Sequence, residues 1–255
     1  MARRNELKDR YRQVTERIGE AAERSGRTAK DVYCIAVTKL ASPAQVRQLM
    51  EMGHQDFGEN RVQQLQQRAA IAEEVQSRQQ LMGPGRGGAI SETIRWHMIG
   101  HLQRNKVKPV LGLAKLIHSV DSMRLAEEIE SQASRLDHEV EVLLQVKISN
   151  EPNKTGLAPA SVPHMVEQML SMTHVKVRGL MAIGELVESA EEMRPHFQRM
   201  SELFTAMKGL GRFGSGFNLL SMGMSNDYEV AVECGANLVR IGRAIFGEEA
   251  DTVAA

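Results

Sequence analysis

The chain is short of several features that would assign its class at once. It holds only two cysteines, Cys34 and Cys234, in 255 residues. One lies in an apolar run and the other closes an amphipathic one, where cysteine acts as a small buried hydrophobe. A disulfide framework is thereby excluded and a reducing compartment expected. Neither sign of charge is in excess, since Lys plus Arg and Asp plus Glu both number 32. That balance argues against nucleic acid as a partner, because a phosphodiester backbone is gripped largely by bulk positive charge. No apolar run approaches the ~20 residues that cross a bilayer, and the charged stretch Met1 to Gln13 contains no signal-peptide core. The expectation is a cytoplasmic protein with no membrane partner. A content of 42% apolar and 25% charged residues is the ordinary globular balance.

Short apolar runs, by contrast, recur along the whole chain and alternate with amphipathic segments. Leu7, Tyr11, Val14, Ile18 and Ala21 or Ala22 repeat at helical spacing, and Gly26 stands where a helix cap belongs. Strands are expected at Val32–Val37, Gln55–Phe57, Trp96–Ile99, Leu116–Val120, Val140–Ile148, Val175–Ile183, Asn218–Met222 and Leu238–Ile241. Helices are expected between them at Pro43–Met52, Arg61–Gln80, Leu102–Val110, Ser122–Arg135, Ala160–Ser171, Ala190–Lys208 and Asp227–Cys234. Wholly apolar strands separated by helices indicate a parallel sheet covered on its faces. Eight such units within about 250 residues fit a single (β/α)8 TIM barrel, and an open doubly wound sheet is the alternative. The division expected is an N-terminal helix over 1–30 packed on the barrel, the barrel over 31–247, and a polar tail over 248–255.

Two G-x-G-x-x-G clusters, at Gly83, Gly85 and Gly88 and at Gly209, Gly211 and Gly214, do not sit between a strand and the helix it feeds. A dinucleotide fingerprint requires that setting, so both are read as loops. His97 and His101 have a metal-ligand spacing only if they share a helix. His97 falls in a strand and no third ligand is evident, so no metal is expected.

In a barrel, chemistry gathers where the strands end. The first run ends in Thr38 and Lys39, and a lysine at a low-dielectric rim is a usable nucleophile toward an aldehyde; a plain exposed lysine is the other reading. Asn60, in Phe57-Gly58-Glu59-Asn60, offers either an amide to a ring or phosphate, or a helix cap. The last two runs end in Ser221-Met222-Gly223-Met224-Ser225 and Arg240-Ile241-Gly242-Arg243. Small residues with free backbone N–H groups there suit a phosphate, with a simple barrel-closing turn as the alternative.

Taken with Ala36-Val37-Thr38-Lys39, Trp96-His97-Met98-Ile99-Gly100-His101-Leu102-Gln103-Arg104-Asn105-Lys106, Arg178-Gly179-Leu180-Met181-Ala182-Ile183 and Val239-Arg240-Ile241-Gly242-Arg243-Ala244-Ile245-Phe246-Gly247, these segments stand in family order from about residue 30 to 247. They resemble the pyridoxal phosphate homeostasis proteins, the YggS or PROSC family, whose barrel is that of the alanine racemase N-terminal domain among the fold-type III proteins. The resemblance implies pyridoxal 5'-phosphate as cofactor, held on Lys39 as a Schiff base. It also implies a cofactor site made with Asn60, Met181, Ser221, Met222, Arg240, Gly242 and Arg243, in which Ser221, Gly242 and Arg243 take the phosphate and Arg240 faces the pyridine nitrogen. Two departures stand out: Ser77 to Arg95 is longer than the family's usual connection, and Arg243 replaces a small hydroxyl residue.

Racemases of this barrel type carry a second, β-rich domain that supplies a tyrosine. After the eighth strand only Glu248 to Ala255 follow here, and Tyr11, Tyr33 and Tyr228 are the only tyrosines. The expected function is therefore vitamin B6 homeostasis, holding the cofactor and buffering it or delivering it to apo-enzymes, in a monomer with no catalytic residues. A residual racemase or transaminase and a sugar-phosphate barrel are the competing readings.

Overall fold

Each apolar run becomes a strand because its β-branched and aliphatic side chains are buried on both faces, toward the barrel interior and toward the surrounding helices. The computed structural model describes residues 2–82, 93–148, 155–185 and 187–247. Its elements are α1 (Ala2–Arg24), β1 (Tyr33–Val37), α2 (Pro43–Glu51), β2 (Asp56–Glu59), α3 (Val62–Met82), β3 (Arg95–Met98), α4 (Lys108–Leu111), β4 (Ala114–Val120) and α5 (Met123–Arg135). They continue with β5 (Val140–Val146), α6 (Val162–Met169), β6 (Val175–Ala182), α7 (Arg194–Gly209), β7 (Leu219–Ser221), α8 (Tyr228–Glu233), β8 (Leu238–Ile241) and α9 (Arg243–Phe246). The strands pair in chain order into a closed barrel, all parallel, and β1 returns to β8 through Tyr33↔Leu238, Cys34↔Val239, Ile35↔Arg240 and Ala36↔Ile241. Closure decides between the two architectures left open by periodicity: this is the TIM barrel.

Three expected helices are shorter than their patterns suggest, and proline is the reason; at Pro163, Ala160–Ser171 becomes a 3-10 turn at Pro159–Ser161 followed by α6. Pro109 and Pro195 lack the N–H that an interior helical position must donate. Leu102–Val110 accordingly divides into a 3-10 turn at Arg104–Lys106 and the one-turn α4, and Ala190–Lys208 starts as a 3-10 turn before α7. The fifth strand stops at Val146 rather than Ile148, because Lys147 N turns to Leu157 O. Gly209 ends α7 and Gly211 and Gly214 adopt positive φ in the loop beyond. The cluster Gly83 to Gly88 and the tail 248–255 lie outside the described residues.

Inside the barrel, Ile35, Leu116, Leu143, Met181 and Leu238 form a small core of their own, apart from the large cluster between strands and helices. These five occupy inward positions of alternate or neighbouring strands, the layered filling that makes a barrel a packed body rather than a pore. Outside, α1 lays Leu7, Val14, Ile18, Ala21 and Ala22, all buried, against the barrel. Arg10 of α1 donates through Nε to Ile245 O at 2.9 Å, and Arg27 beyond its end donates through Nη1 to Ala236 O at 2.9 Å. The start of the chain is thus tied to its last described strand and helix.

Candidate functional site

The carboxyl ends of β1, β2 and β8 bring Lys39, Asn60, Gly242 and Arg243 to one mouth of the barrel. Lys39 follows β1 in the 3-10 turn Thr38–Leu40 and is exposed. Its turn is fixed from beneath: Thr38 Oγ1 donates to Glu59 Oε1, and Arg68 of α3 donates to the same oxygen at 3.2 Å and to Thr38 O at 3.2 Å. Burial pushes the Glu59 carboxyl up from its ordinary value, against the Thr38 and Arg68 bonds that pull it down. Val37 is in register with Gly58, so Lys39 and Asn60, two residues beyond each, leave the rim side by side. Asn60 is half-buried, and its backbone is approached so closely by Gly100 that a Cβ there would stand 2.1 Å from Asn60 O. The first helical bond of α3 runs from Leu65 N to Arg61 O, which leaves Asn60 outside the helix it was alternatively expected to cap.

Across the seam, Gly242 passes so near β1 that a Cβ would meet Val37 O at 3.3 Å. Its N–H and that of Ala244 both donate to Ser225 Oγ at 3.3 Å, so two backbone donors converge on one oxygen. Ser225 lies in the quoted Ser221–Ser225 segment but was not singled out from the sequence. Arg243 is exposed at the rim.

Ser221 is not in that cradle. Its side chain is fully buried in the barrel, where Arg240 Nη1 donates to its Oγ at 2.6 Å and His118 Nδ1 lies 3.1 Å from the same oxygen. Arg240, 4% exposed, also donates through Nη2 to Ala182 O at 2.8 Å. Burial lowers its guanidinium to about 10, with Asp227 opposing the shift; it remains a cation at neutral pH. Met181 and Met222 are both fully buried but in different layers, Met181 in the interior core and Met222 in the outer cluster facing the helices. The Met222 side chain is thus directed away from the mouth, because it alternates with the inward Ser221.

The family model "Alanine racemase, N-terminal domain" matches residues 11–250. The pyridoxal phosphate homeostasis protein of Aquifex aeolicus is 35% identical over 240 residues, covering 94% of this chain and 97% of that protein. The chain belongs to the pyridoxal phosphate homeostasis protein family. Among solved structures, an unknown protein from Bifidobacterium adolescentis superposes with a TM-score of 0.84 at 35% identity, covering 96% of both chains. PipY of Synechococcus elongatus, with PLP bound, superposes with a TM-score of 0.74 at 30% identity, covering 89% of this chain and all (100%) of that one.

Seen as a homeostasis-family barrel, the interior also holds residues that the sequence did not flag. His118, mid-strand in β4, had been absorbed into an apolar run, and Asp56 had been passed over at the foot of β2. His97 and His101 part company: His97 turns inward to His118 and Asp56, while His101 faces Asp121 at 3.4 Å. Each of the three tyrosines has its own setting. Tyr11 OH meets His54 Nδ1 at 3.0 Å, Tyr33 begins β1 at the opposite end, and Tyr228 is buried at the start of α8 with Arg17 of α1 beside its hydroxyl.

Proposed function

We propose that this chain holds pyridoxal 5'-phosphate reversibly at the carboxyl ends of its strands and serves vitamin B6 homeostasis in the cytoplasm, buffering the cofactor or passing it to apo-enzymes. The observation that carries the reading is the convergence at the β8–β1 seam of an exposed lysine, a two-amide cradle and a buried arginine. The residues fit the group: the amides of Gly242 and Ala244 already share an oxygen, and a backbone cradle of that kind suits a phosphate. When bound, the cofactor supplies an aldehyde for an amine to capture and a ring that withdraws electrons.

Each residue has its own task. Lys39 offers the amine, held out by the Thr38–Glu59–Arg68 tether. Ser225, with the Gly242 and Ala244 N–H groups, takes the phosphate, and Arg243 adds positive charge at the rim. Arg240 donates toward the ring nitrogen; because a guanidinium has no acceptor, that nitrogen stays an acceptor and the electron-withdrawing power of the ring is limited. Asn60 flanks the ring and Met181 lies in the layer below. Ser221 serves Arg240 rather than the phosphate.

A holder rather than a racemase is favoured by the tyrosines. Racemisation requires proton transfer on both faces of the substrate; here the Tyr11 and Tyr228 hydroxyls are engaged by His54 and Arg17, and Tyr33 begins β1 at the end opposite the mouth. The test is the visible absorption spectrum of the purified protein before and after borohydride reduction, with peptide mapping. A yellow band trapped on Lys39, and lost in Lys39→Ala while weaker binding persists, is the expected result. A protein that stays colourless and unmodified with added cofactor overturns the reading. A racemase assay on wild type and Tyr228→Phe completes it, with no turnover to lose in either.

A further inference from the structure

A continuous hydrogen-bonded file crosses the barrel interior from the foot of β2 to the mouth at β8. Arg95 closes on Asp56 at 2.7 and 2.6 Å, and Asp56 Oδ1 lies 3.1 Å from His97 Nε2. His97 Nδ1 lies 3.1 Å from His118 Nε2, His118 Nδ1 lies 3.1 Å from Ser221 Oγ, and Arg240 Nη1 donates to that oxygen at 2.6 Å. His97, His118, Ser221 and Arg240 are all buried. They come from β3, β4, β7 and β8, so the file is a product of the closed barrel and of no single segment.

Its two ends fix its direction. Arg240 can only donate. Asp56, ionised by its Arg95 and His97 bonds despite the opposing effect of burial, can only accept. Between them stand a hydroxyl and two imidazoles, each with one proton to give and one lone pair to receive when neutral. One arrangement satisfies every link: Ser221 donates to His118 Nδ1, His118 Nε2–H to His97 Nδ1, and His97 Nε2–H to Asp56. A protonated His97 would reverse the inner links and leave the Ser221 hydroxyl proton with no acceptor among the described residues. The charged or titratable groups facing the file include His54, Arg95, Cys34 and Tyr11 near Asp56 and Asp227 near Arg240.

We propose that Asp56, His97, His118 and Ser221 are positioning residues that hold the Arg240 guanidinium, from the far end of the barrel, in the orientation in which it donates to a bound ring nitrogen. The proposal rests on the cofactor reading above. Unpaired, a buried Arg240 would lose an oriented acceptor in a low-dielectric interior, where such losses are largest; with the file intact, its fork is clamped between Ser221 and Ala182.

Long-range nitrogen–proton NMR of the full chain stripped of cofactor reads the file directly. His118 is expected as the neutral Nε2–H tautomer from pH 6 to 8, bonded to an unprotonated His97 Nδ1; an Nδ1–H in either histidine, or a proton gained by His118 over that range, overturns the assignment. Binding is then measured on Ser221→Ala with pyridoxal phosphate and, separately, with inorganic phosphate. About tenfold weaker cofactor binding with unchanged phosphate binding, and a moved His118 Nδ1 resonance, is the expected outcome. Unchanged cofactor affinity, or equal losses for both ligands, refutes the positioning role. A wild type that binds phosphate but no cofactor defeats the cofactor reading instead, while the tautomer result still judges the file.

Discussion

Thr38 and Glu59 join the ends of β1 and β2 through one side-chain bond inside the barrel wall, and that bond lies directly beneath the turn that presents Lys39. Glu59→Ala strands Arg68 and Thr38 together, and breaking a mostly buried pair by removing one partner costs about 3 kcal/mol. Urea unfolding is expected to show that loss, with borohydride trapping on Lys39 slowed. Glu59→Gln keeps an acceptor for Thr38 and is expected to lose about 1 kcal/mol.

The cradle makes a sharper forecast, because phosphate can be given or withheld. Ser225→Ala removes the oxygen that gathers the Gly242 and Ala244 amides. Affinity for pyridoxal phosphate and for inorganic phosphate is expected to fall about tenfold, a loss of one hydrogen-bond-sized contribution. Pyridoxal, which has no phosphate, is expected to bind both proteins equally. Spectrophotometric titration with the two vitamers checks this, and an equal loss for pyridoxal would remove Ser225 from the phosphate site.

Two interior carboxylates give opposite pH signatures. Burial would raise Asp56, but its bonds to Arg95 and His97 outweigh this and hold it well below its ordinary 3.8. Its stabilisation is present above that value and is lost as pH falls through the depressed folded value. Glu59 is raised above 4.5, chiefly by burial, so the stability linked to it is greatest below that pH and declines as pH rises through its folded value. Urea midpoints measured against pH are expected to lose the acid-side decline in Asp56→Asn and the decline above about 4.5 in Glu59→Gln. The opposite assignment of slopes would show that the surroundings of the two groups have been interchanged.

Much of the architecture was legible because strand and helix periods are local. Leu238–Ile241 needed only its own four residues to be bounded correctly, and Lys39 and Gly242 stood out as candidates because strand ends are recognisable where apolar runs stop. The losses came where a partner lies far along the chain. Nothing near Ser221 in the sequence shows that its hydroxyl meets His118, 103 positions away. His118 itself, between Ile117 and Ser119, reads as part of an apolar strand until closure turns it toward His97. The helices around Pro109, Pro163 and Pro195 were misjudged on local grounds, since the missing N–H was visible in the sequence.

The fastening of α1 also bears on how the chain reaches this state. Arg10 bonds a carbonyl 235 positions away, and β1 pairs with β8. On the ribosome, made from its amino end, the apolar stripe of Leu7, Val14 and Ile18 has no final resting place until the last strand and α9 have emerged. Contacts of such sequence separation form late and slowly, and the waiting stripe is a surface on which holding chaperones act. The seam between β1 and β8 therefore closes only after β8 has been made, and competence to hold a ligand there waits on that late strand.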